Sequence, residues 1–247
     1  MKRRLLTVSV LVVSLALLVM EAVAAQGPRS SPWDRLEAEA TRAWNVEFVG
    51  QVGGAIYAVA LGGNYAYLGI GRRLVILNVT DPDRLIVVGQ TSPFPDIVRG
   101  ITVAGNLAYI ADGSAGLYII NVADPAVPRQ VGVYDTPGSA QNVAVAGSFA
   151  YVANGISGLR IVNIANPAAP REVGFLDTPG YAWDVAVSRG YAYVADESAG
   201  LRIINVANAE APRQVGFYDT PGSAWGVTVV GGYAYVADGS AGLRVVN

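Results

Sequence analysis

The chain has 247 residues, 52% of them apolar and 15% charged, with a net charge of −2. It contains no Cys and no His, which excludes disulfides, thiolate or imidazole zinc sites and any nucleophile activated by an imidazole base. The slightly acidic balance lacks the basic footprint of a nucleic-acid binder, and so high an apolar share suits sheets buried on both faces.

The chain opens with Lys2, Arg3 and Arg4, an apolar run from Leu5 to Met20, and then Glu21-Ala22-Val23-Ala24-Ala25. A basic start, a greasy core and an Ala-x-Ala site predict a secretory signal peptide over residues 1–25, cleaved after Ala24 or Ala25. An uncleaved membrane anchor is the competing reading, although the run is shorter than the ~20 residues a spanning helix needs. After cleavage no membrane span is expected. Residues 26–44 read as a linker with a short helix: Ser31 can cap it, Pro32 suits its first position, and Trp33, Leu36, Ala40 and Ala43 share one face.

From residue 45 onward the chain repeats itself. Gly116, Gly158, Gly200 and Gly242 recur every 42 residues, as do Tyr67, Tyr109, Tyr151, Tyr193 and Tyr235. A period of this size signals a propeller or a solenoid. In the third repeat, strand A is predicted at Gln141–Val145, strand B at Phe149–Ala153, strand C at Leu159–Ile164 and strand D at Glu172–Leu176. β-branched and aromatic residues fill these runs, and Gly, Pro, Asn and Asp separate them. Thr178-Pro179-Gly180 then places Pro and Gly where a type II turn wants them. A four-stranded sheet with two apolar faces cannot stand alone, and radial stacking of such sheets gives a β-propeller. No helical period falls between the strands, which argues against an α/β solenoid.

Strand A recurs at Tyr57–Leu61, Arg99–Val103, Gln141–Val145, Trp183–Val187 and Trp225–Val229, so five blades of four antiparallel strands are expected. The fifth repeat reaches a C strand at Leu243–Val246 and has no strand D. Val46–Val52 resembles strand D and is expected to pair beside Leu243–Val246, closing the last blade with the N-terminal strand. The rival expectation is that the chain is truncated, since Asn247 falls in mid-motif, and that further blades follow.

The C-strand cores read Leu74-Val75-Ile76-Leu77-Asn78, Leu117-Tyr118-Ile119-Ile120-Asn121, Leu159-Arg160-Ile161-Val162-Asn163, Leu201-Arg202-Ile203-Ile204-Asn205 and Leu243-Arg244-Val245-Val246-Asn247. With the Tyr-Val-Ala-Asp that precedes and the Asp-Pro that follows, they resemble the LVIVD repeats of bacterial and archaeal surface proteins. The resemblance covers residues 45–247 and implies a β-propeller, but it brings no catalytic residues. This chain departs from that pattern by ending each core in Asn rather than Asp, which keeps a turn hydrogen bond and loses a charge.

In a four-stranded meander the D-to-A loops and B-to-C turns share one propeller face with the start of strand A, which lines the channel. The Tyr column and its partner Ala66, Ala108, Ala150, Ala192 and Ala234 agree in all five copies and read as inter-blade packing. The column opening strand A disagrees throughout: Tyr57, Arg99, Gln141, Trp183, Trp225. The next varies too, with Asn142 and Asp184, and Tyr181 comes from the preceding loop. These eight residues form the predicted binding site, because aromatic faces with a few convergent polar groups suit a sugar, peptide or small organic ligand. Asp112, Asp196 and Asp238, with Asn154 in the remaining copy, read as turn formers.

The reading that follows is an exported, non-catalytic propeller at the cell surface or in the medium. It binds protein or carbohydrate and needs no cofactor or metal, and no nucleic acid is expected as a partner. One alternative is a carboxylate-based glycoside hydrolase or lyase using the channel mouth, with Asp184 as its acid. The other is a structural envelope component.

Overall fold

The computed structural model describes residue 51 and residues 54–247. The expected signal peptide, the linker helix and the strand over 46–52 lie outside the described residues, apart from Gln51. The described residues are all-β, apart from a short 3-10 turn at Gly239–Ala241, and form the five blades of a propeller. No helix among them is long and apolar enough to cross a membrane.

The first blade is β1 (Ile56–Gly62), β2 (Tyr65–Ile70), β3 (Arg73–Asn78) and β4 (Ile86–Gln90). The second is β5 (Gly100–Ala104), β6 (Leu107–Ala111), β7 (Leu117–Asn121) and β8 (Arg129–Tyr134). The third is β9 (Asn142–Ala146), β10 (Phe149–Ala153), β11 (Leu159–Asn163) and β12 (Arg171–Leu176). The fourth is β13 (Asp184–Ser188), β14 (Tyr191–Ala195), β15 (Leu201–Asn205) and β16 (Arg213–Tyr218). The fifth has three described strands, β17 (Gly226–Val230), β18 (Tyr233–Ala237) and β19 (Leu243–Val246). Each sheet is an antiparallel meander in sequence order. Strand A of each blade packs against strand A of the next, from β1 through β5, β9 and β13 to β17. No packing of that extent joins β17 to β1 among the described residues.

The core is divided among the interfaces between blades. Strand B shows why. In Ala150-Tyr151-Val152-Ala153 successive side chains point to opposite faces of the sheet. Ala150 and Val152 join Tyr109, Leu117 and Ile119 of the second blade, while Tyr151 and Ala153 join Ala182, Val185, Val194 and Ile204 of the fourth. The same division recurs at the first interface, where Tyr67, Leu74 and Ile76 meet Val98, Ala108, Ile110 and Ile120. Small Ala thus faces large Tyr across every interface, which is the packing role expected of those two columns.

Strand D is anchored differently. A bulge sets Gly89, Gly132, Gly174 and Gly216 opposite the central Ile of strand C. A Cβ at Gly89, Gly132 or Gly174 would collide with the carbonyl of Pro125, Pro167 or Ala209 in the C-to-D loop of the next blade. Only glycine lets that loop seat on the strand.

The two ends of the propeller are assigned by their hydrogen bonds. Each B-to-C turn bridges the start of the next strand A: Gly113 with Ala140, Gly155 with Ala182, Glu197 with Ala224. Each C-to-D loop donates to the A-to-B turn of its own blade, as Val122 to Asn106, Ile164 to Ser148 and Val206 to Gly190. The D-to-A loops and B-to-C turns therefore do share one face.

Candidate functional site at the channel mouth

Arg99, Gln141, Trp183 and Trp225 each lie one residue ahead of the strand A they open, but their backbone N–H groups already donate to strand B, at Ala111, Ala153, Ala195 and Ala237. This ladder bond sets the four side chains at equivalent heights around the mouth. Three blades then build one continuous row. The Gln141 amide donates to the Tyr181 hydroxyl at 3.0 Å and to Ser139 Oγ at 2.7 Å. The Tyr181 ring lies 4.7 Å from Trp183, centroid to centroid and tilted by 40°. Trp183 lies 4.7 Å from Trp225 at 49°. Trp183 is flanked by rings on two sides, and Trp225 forms the outer end of the row. The Trp183 Nε1 is buried without a hydrogen-bond partner among the described residues.

Asn142 and Asp184 lie one step further along strand A and form a separate layer. The Asn142 amide donates to Asp184 Oδ1, as does the Val185 N–H at 2.8 Å, while the Val227 N–H donates to Oδ2 at 2.8 Å. Asp184 therefore ties the A strands of the third, fourth and fifth blades together. Desolvation pushes its carboxyl above the usual range, against the lowering effect of those three donors.

Of the eight expected site residues, the structure gathers Gln141, Tyr181, Trp183 and Trp225 into the row, and Asn142 and Asp184 into the layer beneath it. Tyr57 and Arg99 belong to the first two blades and make no ring contact or side-chain hydrogen bond with the row. The Arg99 Nε is buried without a partner among the described residues, and the Arg99 charge adds a small share to the lowering of the Asp96 carboxyl, which comes first from the Ser114 N–H.

Three features of this face went unread in the sequence. The first is a clamp on the blade-entry loops. Asp196, fully buried, accepts from Thr178 Oγ1 at 2.5 Å and from the Gly180 N–H at 2.9 Å. Asn154 accepts from Thr136 Oγ1 at 2.8 Å, and Asp238 from the Gly222 N–H at 3.2 Å. The signal was present as a constant spacing of 18 residues between Thr and Asn or Asp. The second is the pair Arg160 and Arg202, nearly buried on strand C. Arg160 meets Asp177 at 2.6 Å and lies over the Phe175 ring, and Arg202 meets Asp219 at 3.0 Å and lies over Phe217. The third is Glu197, which has a left-handed backbone (φ 49°) in a B-to-C turn.

Among the described residues no group of three or more Asp and Glu side chains is placed to hold a metal ion. On the opposite propeller face, a cleft of about 460 Å³ lies between the first two blades, lined by Tyr65, Tyr67, Asn106 and glycines of the A-to-B turns.

Repeated four-stranded blades around a channel, with variable side chains collected at one mouth, define a β-propeller of repeat type. The LVIVD repeat model matches five times, at residues 53–92, 97–136, 137–178, 179–220 and 221–247, and the chain belongs to that family. No match to the chain was found among the curated proteins. Among solved structures, the chain is similar to the computationally designed Ika8 protein, with a TM-score of 0.56 and 6% identity, over 78% of this chain and 70% of that one. At that identity the likeness concerns the fold alone.

Proposed function

We propose that the protein is an exported, non-catalytic interaction module whose mouth binds protein or carbohydrate at the cell surface. One observation carries this reading. The residues in which otherwise near-identical blades disagree come together as a row, Gln141, Tyr181, Trp183 and Trp225, held ring against ring. Inter-blade packing accounts for the columns that agree and leaves this one unexplained. Aromatic rings with nearby amide and carboxylate groups are the usual lining of a recognition site. Export rests on the basic and apolar start of the sequence.

The carboxylate-based enzyme has less to draw on, because the Asp184 carboxylate is already bonded to Asn142, Val185 and Val227. The test is a screen of the mature protein on glycan and peptide arrays, followed by Trp225→Ala and Trp183→Ala. Loss of the captured ligand in both variants, with the thermal transition retained, supports the mouth. Binding that survives both substitutions removes it, and capture of nothing favours the envelope component.

A further inference from the structure

The inference concerns Glu197 and rests on the mouth-binding reading above. In the B-to-C turns the same position is Gly113, Gly155 and Gly239, with φ of 52°, 58° and 50°. Only the fourth blade puts a side chain there, in a conformation that L residues adopt at a cost. Backbone need does not explain Glu at this position, because glycine serves the other four turns, including Gly71 of the first blade with φ of 56°.

The neighbouring blade shows what the side chain replaces. A Cβ on Gly155 would lie 2.8 Å from the Tyr181 ring, so in the third blade the Tyr181 side chain fills that space. The residue matching Tyr181 one blade later is Ser223. The large Tyr181 over Gly155 in the third blade becomes the small Ser223 over Glu197 in the fourth, which leaves room for the Glu197 side chain. Two backbone bonds hold it there: the Glu197 N–H donates to Ala224 at 3.1 Å, and the Ala224 N–H donates back at 2.9 Å. Ala224 directly precedes Trp225, the outer end of the aromatic row.

The Glu197 carboxylate forms no hydrogen bond or ion pair among the described residues. Arg202 is paired with Asp219 and Arg244 with Asp238, while Arg99 of the second blade makes no ion pair among the described residues. Asp177 and Asp219, on the same face, are each paired with an arginine, which leaves Glu197 as the carboxylate of this turn without a counter-charge among the described residues. An unneutralised carboxylate on the same face as a row of aromatic rings is the chemistry that selects a cation, through ion pairing and attraction to ring faces. We propose that the mouth takes an ammonium or guanidinium group presented by a basic peptide segment, and that Glu197, in the turn paired to the residue before Trp225, determines that preference.

The test is calorimetric titration of the mature chain with a Gly-spaced Arg peptide, its Glu counterpart and a neutral maltohexaose. Each is repeated with Glu197→Gln, Glu197→Gly and Trp225→Ala. The expected result is binding of the Arg peptide alone, weakened about tenfold by either Glu197 substitution and by loss of the indole, and weakened further by added salt. Glu197→Gly restores the residue used by the other blades, so it should melt no lower than the parent and its binding loss cannot be put down to unfolding. Arg-peptide binding that Trp225→Ala abolishes but Glu197→Gln leaves intact overturns the role of Glu197 and keeps the mouth. Binding of maltohexaose or the Glu peptide in place of the Arg peptide, sensitive to Trp225→Ala, overturns the cation and also keeps the mouth. Arg-peptide binding indifferent to all three substitutions overturns both, and failure of the Arg peptide to bind overturns the inference.

Discussion

The loops that lead into the second and fourth blades follow one plan, yet their buried carboxylates are treated differently. In the fourth, Asp196 receives the Thr178 hydroxyl and the Gly180 N–H and has the Arg202 guanidinium 3.9 Å away. In the second, Thr is replaced by Phe94, Gly by Asp96 and Arg by Tyr118. Asp112 keeps one donor, the Asp96 N–H at 3.1 Å, and its Oδ1 is buried without a partner among the described residues. Desolvation, with the Asp96 charge adding to it, pushes the Asp112 carboxyl up to about 6. What the second blade gains is an aromatic contact: Phe94 is buried with its ring edge-on to Tyr118, centroids 5.2 Å apart. One loop is fastened by polar bonds and the other by apolar contact, on the same backbone plan.

The largest effect should come from cutting the polar fastening. Asp196→Ala strands a buried hydroxyl and an N–H and leaves Arg202 short of an anion, and should cost about 3 kcal/mol in urea unfolding. The reverse exchange, Phe94→Thr, returns a hydroxyl to Asp112 but removes a buried ring. Core truncation outweighs one hydrogen bond, so a net loss of about 2 kcal/mol is expected in the same assay. If Phe94→Thr proves neutral, the two fastenings are interchangeable and the contrast fails.

The pH dependence sharpens the comparison from another side. Asp112 has a folded pKa raised above its unfolded value, so the folded state holds the proton more tightly. Its contribution is fully present below the unfolded pKa and lost as pH rises through about 6. Melting followed from pH 4 to pH 7 should show stability falling with rising pH, by about 2 kcal/mol from this group. Asp184 and Asp196, also raised by desolvation, act in the same direction. Asp112→Asn, which copies Asn154 of the third blade, should flatten that part of the slope. An unchanged slope would mean that Asp112 is not the group responsible. The smallest effect belongs to Phe217→Leu, which removes an exposed ring from beneath Arg202 and should cost about 0.5 kcal/mol.

Much of the architecture was legible because the repeats check each other. Tyr151 and Ala150 could be assigned to inter-blade packing from their agreement and their opposite faces alone. Strand B and strand C were read to within a residue. Strand A was read one residue early in the second to fifth blades, because Trp183 and Trp225 have the β propensity of strand residues while their ladder bond lies just ahead of the regular pairing, whereas in the first blade it runs a residue beyond Tyr57–Leu61 at each end. The mouth was legible as a set of variable positions, but not as a row. That Tyr181, Trp183 and Trp225 touch each other, while Asp184 is engaged by Asn142 and Val227, depends on the angle between blades, which no single repeat encodes. The same holds for Asp196: as a turn former it needed only its neighbours, whereas its real partners Thr178 and Gly180 belong to the loop before its blade.

The bare Cα atoms of Gly132 and Gly174 carry one last consequence. Where a neighbouring loop rests main chain on main chain, that seating does not depend on which side chains the exposed positions of either sheet carry. A unit of this kind can be copied, drift in its exposed positions and still dock on its twin. The mouth could thus have diversified blade by blade while the joints beneath it stayed interchangeable.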